Sequence, residues 1–236
     1  MVDEHAAFGG EQLSHLYRER FSAQELRFKD GMWEVFCRYF QRYIPREHTV
    51  VDLGSGTCEF INHIDAAEKI AIDLNPDIED HVLDAKAVVC SSTDMSPIPD
   101  DTVDTVFTSN FFEHLPNKAD LVSTLLECHR ILRPGGQLLV LMPNIRYLPG
   151  RYWDYFDHLL ALTHYSLQEA LVITGFEPVK VIPRLLPYTI KHSKVPRTML
   201  MVRLYMHLPF AWRFFGKQMF VVSRNLDTAD IDAPVA

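Results

Sequence analysis

Cysteine is scarce in this 236-residue chain: Cys37, Cys58, Cys90 and Cys128, with no two in C-x-x-C spacing. That pattern offers neither a zinc site nor a redox dithiol, so no metal centre is expected. Scattered thiols in a chain of this size fit a reducing compartment, and a cytoplasmic location is expected. Long apolar runs are also missing. Residues 1–12 carry Asp3, Glu4 and Glu11 and no apolar core, so no signal peptide is expected there. The most apolar late stretch, 198–215, is broken by Arg203, His207, Pro209 and Arg213, which excludes an ordinary spanning helix. Positive charge is in deficit: 23 Lys and Arg stand against 31 Asp and Glu. A net charge of −8 argues against broad binding to nucleic acid, which needs a basic face. Repeats and low-complexity tracts are absent too. What remains is 47% apolar and 23% charged residues, the composition of a globular chain.

The order of patterns along the chain points to an α/β fold. From Glu11 to Tyr43, Leu16, Phe21, Leu26, Trp33, Phe36 and Phe40 recur at mixed three- and four-residue spacings. This predicts two short amphipathic helices, a cap over 1–45 closed by Pro45. Short apolar runs follow at 49–53, 69–73, 87–90, 104–108 and 137–142. Continuous runs of this length mark strands buried on both faces. A helix is expected over Lys118–Ile131, stopped by Arg133-Pro134-Gly135-Gly136. Another is expected from a capping box at Ser166–Glu169 to Gly175. Two more strands are expected at 179–182 and 218–223, around an insertion at 183–217. The expected architecture over 46–236 is a doubly wound, mostly parallel sheet with helices on both faces and an antiparallel last strand.

Ligands of such sheets sit at the carboxyl ends of the strands. After the first run comes Asp52-Leu53-Gly54-Ser55-Gly56, whose glycines permit a tight turn and close backbone approach. Asp73 ends the second run, 21 residues beyond Asp52, where a carboxylate can accept both ribose hydroxyls of a nucleoside. The fourth run ends at Ser109-Asn110 before Phe111-Phe112-Glu113-His114, and the fifth at Pro143-Asn144. The third glycine of a dinucleotide fingerprint is replaced by Glu59, and there is no phosphate-cradling G-x-x-x-x-G-K-[ST] loop. The pattern therefore fits a nucleoside without phosphates.

Four blocks, VVDLGSGTCEF, IAIDLNPD, SPIPDDTVDTVFTSNFFEHL and CHRILRPGGQLLVLMPN, carry a resemblance. In order and spacing the chain, from about residue 50 to 176, resembles the class I S-adenosylmethionine-dependent methyltransferases, in particular the small-molecule branch called type 11. The resemblance implies a Rossmann-like domain with S-adenosyl-L-methionine as cofactor. It implies that Asp52, Gly54 and Gly56 line the methionine and ribose side, and that Asp73 binds the ribose hydroxyls. Leu74 would pack on the adenine, Asn110 would lie near the methionine moiety, and Asp104 would mark the start of the fourth strand. Two positions depart from the family pattern. Cys58 replaces a third glycine, and Ser92 stands where an acid often contacts the adenine amino group, with Asp94 two residues on. Either Ser92 or Asp94 takes that contact.

The acceptor side is read from the residues after strands four and five. Methyl transfer from a sulfonium is an in-line displacement, governed by alignment of acceptor and methyl group. An oxygen nucleophile also needs a base. His114, His158 and His164 are candidates, with His114 best placed; a helix cap is the alternative reading of Glu113-His114. The segment 143–158 mixes Tyr147, Tyr152, Trp153, Tyr155 and Phe156 with Arg146, Arg151, Asp154, Asp157 and His158. Rigid aromatics beside polar handles fit a substrate lid, with Asn144, Tyr152, Trp153 and Asp157 as acceptor contacts. The alternative is a helix whose aromatics are core. The expected function is O-methylation of a small or glycan-type acceptor, a sugar or glycolipid precursor. A natural-product or quinone-type methyltransferase and an inactive cofactor-binding regulatory subunit are the rivals. The insertion 183–217 holds seven Lys and Arg and no acid, +7 against −15 for the rest. Its basic and apolar residues fit peripheral contact with the anionic inner face of a membrane, or an anionic acceptor. Packing on the sheet or on a second subunit, as in a homodimer, is the alternative.

Overall fold

The computed structural model describes residues 23–188 and 198–227. Five strands lie parallel: β1 (Thr49–Leu53), β2 (Glu68–Asp73), β3 (Lys86–Val89), β4 (Val103–Ser109) and β5 (Leu132–Pro143). Two more, β6 (Phe176–Ile182) and β7 (Gln218–Asn225), complete a sheet of order β3-β2-β1-β4-β5-β7-β6. β7 is antiparallel to both β5 and β6, so it alone runs backwards. The chain leaves β1 towards β3, then returns to lay β4 on the other side of β1. This reversal opens a crevice at the carboxyl ends of β1 and β4.

The apolar runs are continuous because both faces of the sheet are covered. Val50, Phe107, Leu139, Leu141, Phe220 and Val222 face one layer. There they meet α1 (Ala23–Phe40) and α2 (Glu59–His63). Val51, Val106, Leu138, Val140 and Val221 alternate with them onto the other layer, against α4 (Lys118–Ile131) and α5 (His164–Ile173). A short α3 (Ile78–His81) follows β2. α1 occupies residues 23–40 of the region where two helices were expected; residues 11–22 of that region, with the rest of 1–22, lie outside the described residues. Its aromatics are part of the sheet's own core: Phe40 lies 5.2 Å from Phe107, and Phe60 of α2 stacks on Phe107 at 3.7 Å.

Several boundaries differ from the sequence pattern. β5 begins at Leu132, through the segment expected to be a turn. Leu132 pairs with Val103, and a register shift before Thr105 absorbs Pro134-Gly135-Gly136, where Gly135 takes φ +78°. α5 is capped by Thr163, not Ser166: Thr163 Oγ1 accepts the Ser166 N–H at 3.1 Å, and Ser166 Oγ accepts the Thr163 N–H at 2.9 Å. A serine at the third position thus closes the box in place of Glu. β6 and β7 each extend beyond their apolar runs.

The insertion holds α6 (Met199–Met206) and α7 (Pro209–Phe215). Lys191, Lys194 and Arg197 lie outside the described residues. The Tyr205 hydroxyl donates to the Leu185 carbonyl at 2.7 Å, and Trp212 sits edge-on to Tyr39 of α1 at 5.6 Å. Arg184 donates to the Gly216 and Phe214 carbonyls, at 2.9 and 2.6 Å. These bonds return the chain to β7.

Candidate cofactor and acceptor site

At the end of β1 the backbone turns through three left-handed residues, Gly54 (φ +73°), Gly56 (φ +55°) and Cys58 (φ +61°). A Cβ on Gly54 would lie 2.6 Å from the Phe111 ring, so glycine is required there by space as well as by φ. Cys58 holds the same conformation with a buried side chain, which shows that its third glycine is dispensable for this turn. The loop is tied to β2: the Gly54 and Ser55 N–H groups donate to the Ile72 carbonyl at 2.9 and 3.1 Å. Asp73 is fixed by the same turn. One carboxylate oxygen accepts the Gly56 N–H at 2.8 Å and the other the Asn75 N–H at 2.9 Å.

Acid accumulates here. Asp52 is buried, and its carboxyl is pushed well up by desolvation and by the neighbouring Glu59 and Asp73. Lys29 of α1 opposes this, 2.8 Å from Glu59 Oε1 and 2.9 Å from Thr57 Oγ1. No sequence pattern singled out Lys29, because a solitary lysine on an amphipathic helix carries no signal. Leu74 is half-buried beyond Asp73. Asn110 ends β4 with φ +51°, its side chain donating to Ser109 Oγ at 2.9 Å. Ser92 is buried with its hydroxyl on Thr124 of α4 at 2.8 Å, whereas Asp94 is exposed and accepts the Ser96 N–H at 3.2 Å.

The second half of the site joins the turn after β4 to the segment after β5. The Leu159 and Leu160 N–H groups donate to the Glu113 carbonyl at 2.8 and 3.0 Å. His114 Nδ1 donates to the Asp157 carbonyl at 2.9 Å and lies 3.4 Å from the Asp157 carboxylate. The His158 ring meets His114 edge-on at 5.1 Å and packs against Tyr155 and Tyr152. Thus His114, His158 and Asp157 are brought together, though 43 residues or more separate the two segments. His114 also lowers the carboxyl of Asp73, which burial raises, so the two halves share one electrostatic neighbourhood. Glu113 was missed in the sequence as anything but a cap. It is buried at 1% exposure, and desolvation, with Asp157 adding, pushes its carboxyl up to about 8. Capping of α4 falls instead to Asn117, whose side chain accepts two backbone N–H groups.

The remaining expected contacts divide. Trp153 is 56% exposed, open to a ligand. Tyr152 is fully buried, its hydroxyl donating to the Leu160 carbonyl, and Asn144 is fully buried between Pro183 and His164. Asn144 caps the 3-10 turn Ile145–Tyr147, accepting the Arg146 N–H, and Tyr152 is the buried residue of the turn Arg151–Asp154. His164, the third candidate base, is bonded to Asn144 and burial lowers its affinity for a proton.

Comparison with known proteins bears on this geometry. Residues 51–140 match the family described as a methyltransferase domain. Residues 51–140 thus carry a methyltransferase domain, and the relatives below support the class I S-adenosylmethionine-dependent kind. S-adenosyl-L-methionine is the cofactor that this domain and fold imply. A probable S-adenosylmethionine-dependent methyltransferase of Mycolicibacterium smegmatis is 43% identical over 83 residues, covering 34% of this chain and 31% of that one. A malonyl-[acyl-carrier protein] O-methyltransferase of Methylococcus capsulatus is 28% identical over 159 residues, 60% of this chain and 56% of that one. The matches therefore span about a third to just over half of these relatives' lengths. The fold of the methyltransferase domain is that of a SAM-dependent methyltransferase from Archaeoglobus fulgidus: TM-score 0.61 at 20% identity, covering 82% of this chain and 94% of that one.

Proposed function

We propose that the chain transfers the methyl group of S-adenosylmethionine to an oxygen of a small or glycan-type acceptor, a sugar or glycolipid precursor. The observation that carries this reading is the joining of His114, Asp157 and His158, with the charge of His114 acting on the Asp73 carboxyl. Asp73 offers its remaining lone pairs to the ribose hydroxyls. Gly54 and Gly56 let the backbone approach, and Asp52 closes the ribose side. Leu74 packs on the adenine. Asn110 faces the methionine. Asp94, exposed at the rim, takes the adenine amino group, since the Ser92 hydroxyl is engaged by Thr124. The Asp157 carbonyl holds the proton of His114 on Nδ1, which makes Nε2 the atom offered to an acceptor hydroxyl. His158 and Tyr155 wall that atom, and exposed Trp153 gives a ring face for a sugar. Tyr152 and Asn144 act by holding the segment. Oxygen as the methylated atom is further supported by the O-methyl chemistry named for the Methylococcus relative.

The test is turnover: the purified chain, supplied with S-adenosylmethionine and a panel of sugar and glycolipid acceptors, should release S-adenosylhomocysteine. Cofactor binding without turnover on any acceptor would instead support an inactive regulatory subunit. His114→Ala should lower turnover by about 100-fold while cofactor affinity is kept. Undiminished turnover assigns the base elsewhere, first to His158.

We infer that α6 and α7 rest on an anionic membrane surface. Leu200 is 73% exposed and Phe210 76%, and Leu204, Leu208, Phe214 and Phe215 are exposed beside them. Arg203 and Arg213 are exposed on the same two helices. An apolar surface with cations at its margin is complementary to an anionic bilayer. Among the described residues no helix is long and apolar enough to cross a membrane. Flotation should recover the chain with anionic vesicles in low salt, and Arg203→Gln with Arg213→Gln should reduce recovery. Equal recovery on neutral vesicles, or a dimer in solution that hides the patch, sinks this reading.

A further inference from the structure

We propose that Glu113, His114 and His158 form a binding site for one divalent transition ion of the zinc class. Their ligand atoms all lie within 4.8 Å of one another. A tetrahedral ion at about 2.1 Å from each ligand needs separations of about 3.4 Å, so movements of about 1 Å close the set. Two imidazoles and one carboxylate, with coordination positions left over, are the donor set of ions that bind and activate an oxygen ligand.

Two further observations point to a ligand at this place. Glu113 is 1% exposed, yet its Oε2 has no hydrogen-bond partner among the described residues. A buried carboxylate oxygen left so is costly, and an ion would satisfy it. His114 is already arranged as metal-bound histidines are. Its Nδ1 donates to the Asp157 carbonyl, with the Asp157 carboxylate at 3.4 Å, so the lone pair lies on Nε2 and the ring is oriented by its outer contacts. The stack of Tyr155 on His158, 5.2 Å between centroids at 24°, fixes the second imidazole. The cysteines take no part: all four are free thiols, and none belongs to this cluster.

The use of the ion rests on the methyl-transfer reading; its binding does not. An acceptor hydroxyl entering an open coordination position would lose its proton to solvent, so the ion takes over the task given above to His114 alone. The acceptor oxygen then bonds the methyl carbon as the carbon–sulfur bond breaks, and the electron pair stays on sulfur in S-adenosylhomocysteine.

The experiment is a calorimetric titration of Zn2+ into the full chain after chelator treatment, with a parallel titration of S-adenosylmethionine. One ion per chain is expected, with affinity reduced at least tenfold in His158→Ala and in the isosteric Glu113→Gln. Circular dichroism confirms that both variants fold, and S-adenosylmethionine affinity confirms that the cofactor half is intact. Co2+ in place of zinc should give visible bands without a thiolate charge-transfer band. Zinc affinity equal in wild type and folded His158→Ala, or a thiolate band, overturns the site. Failure of the wild-type chain to bind S-adenosylmethionine would instead count against the methyl-transfer reading and leave the zinc result standing.

Discussion

Single residues set what the crevice can hold. Asp73 is oriented before any ligand arrives, because the Gly56 and Asn75 N–H groups fix one oxygen each. Asp73→Ala should weaken S-adenosylmethionine binding about 10- to 100-fold, the loss of charge-assisted hydrogen bonds contributing about 1.5–3 kcal/mol. Calorimetric titration of the folded variant checks this, and unchanged affinity removes Asp73 from the site. Gly54→Ala places a methyl group on the Phe111 ring at a positive φ. A loss of about 1–3 kcal/mol in urea unfolding is expected. Asp73 and the glycines were legible because their positions relative to strand ends carry meaning on their own. Glu113 was not: it is buried where the Leu159 and Leu160 N–H groups meet its carbonyl, a tertiary contact that no local spacing encodes.

Elements were legible where one physical cause dominates. β1, β2, β4 and β7 read as continuous apolar runs because both of their faces are covered. The first part of β5 was not, since Arg133-Pro134-Gly135-Gly136 has turn chemistry and pairs only through the register shift opposite Val103. The cap of α5 was misplaced by three residues because Thr163 and Ser166 use hydroxyls for both halves of the box. α4 is joined to the loop before β4 by charge. Arg130 donates to the carbonyls of Met95 and Ile98 and to Asp100 and Glu127, and Glu127 accepts the Met95 N–H. Arg130 holds the Glu127 carboxyl below the usual glutamate range. Its contribution is therefore complete above the ordinary glutamate value and fades as pH falls through the lowered native one. Glu127→Gln should cost about 1 kcal/mol at neutral pH, and the difference from wild type should vanish in acid. Urea midpoints measured across pH check this, and a gap that persists in acid contradicts the sign.

At the scale of the molecule, sequence reading recovered the sheet type, since strands alternating with helices report it, and the expected reversed last strand is β7. It did not recover how residues 112–114 meet 155–160, because that meeting depends on two turns whose backbone bonds are tertiary. Nor did it show that α1 belongs to the sheet's core, with Phe40 against Phe107.

The position of β7 has a consequence for biosynthesis. β6 touches the sheet only through β7, and 35 residues (183–217) must be made between the two. A chain ending at residue 217 would therefore leave an open edge on β5 and a sixth strand with no partner in the sheet. Such an edge invites pairing with another chain. A released chain truncated at 217 should therefore be more sensitive to protease within 176–182 than the chain that includes residues 218–225.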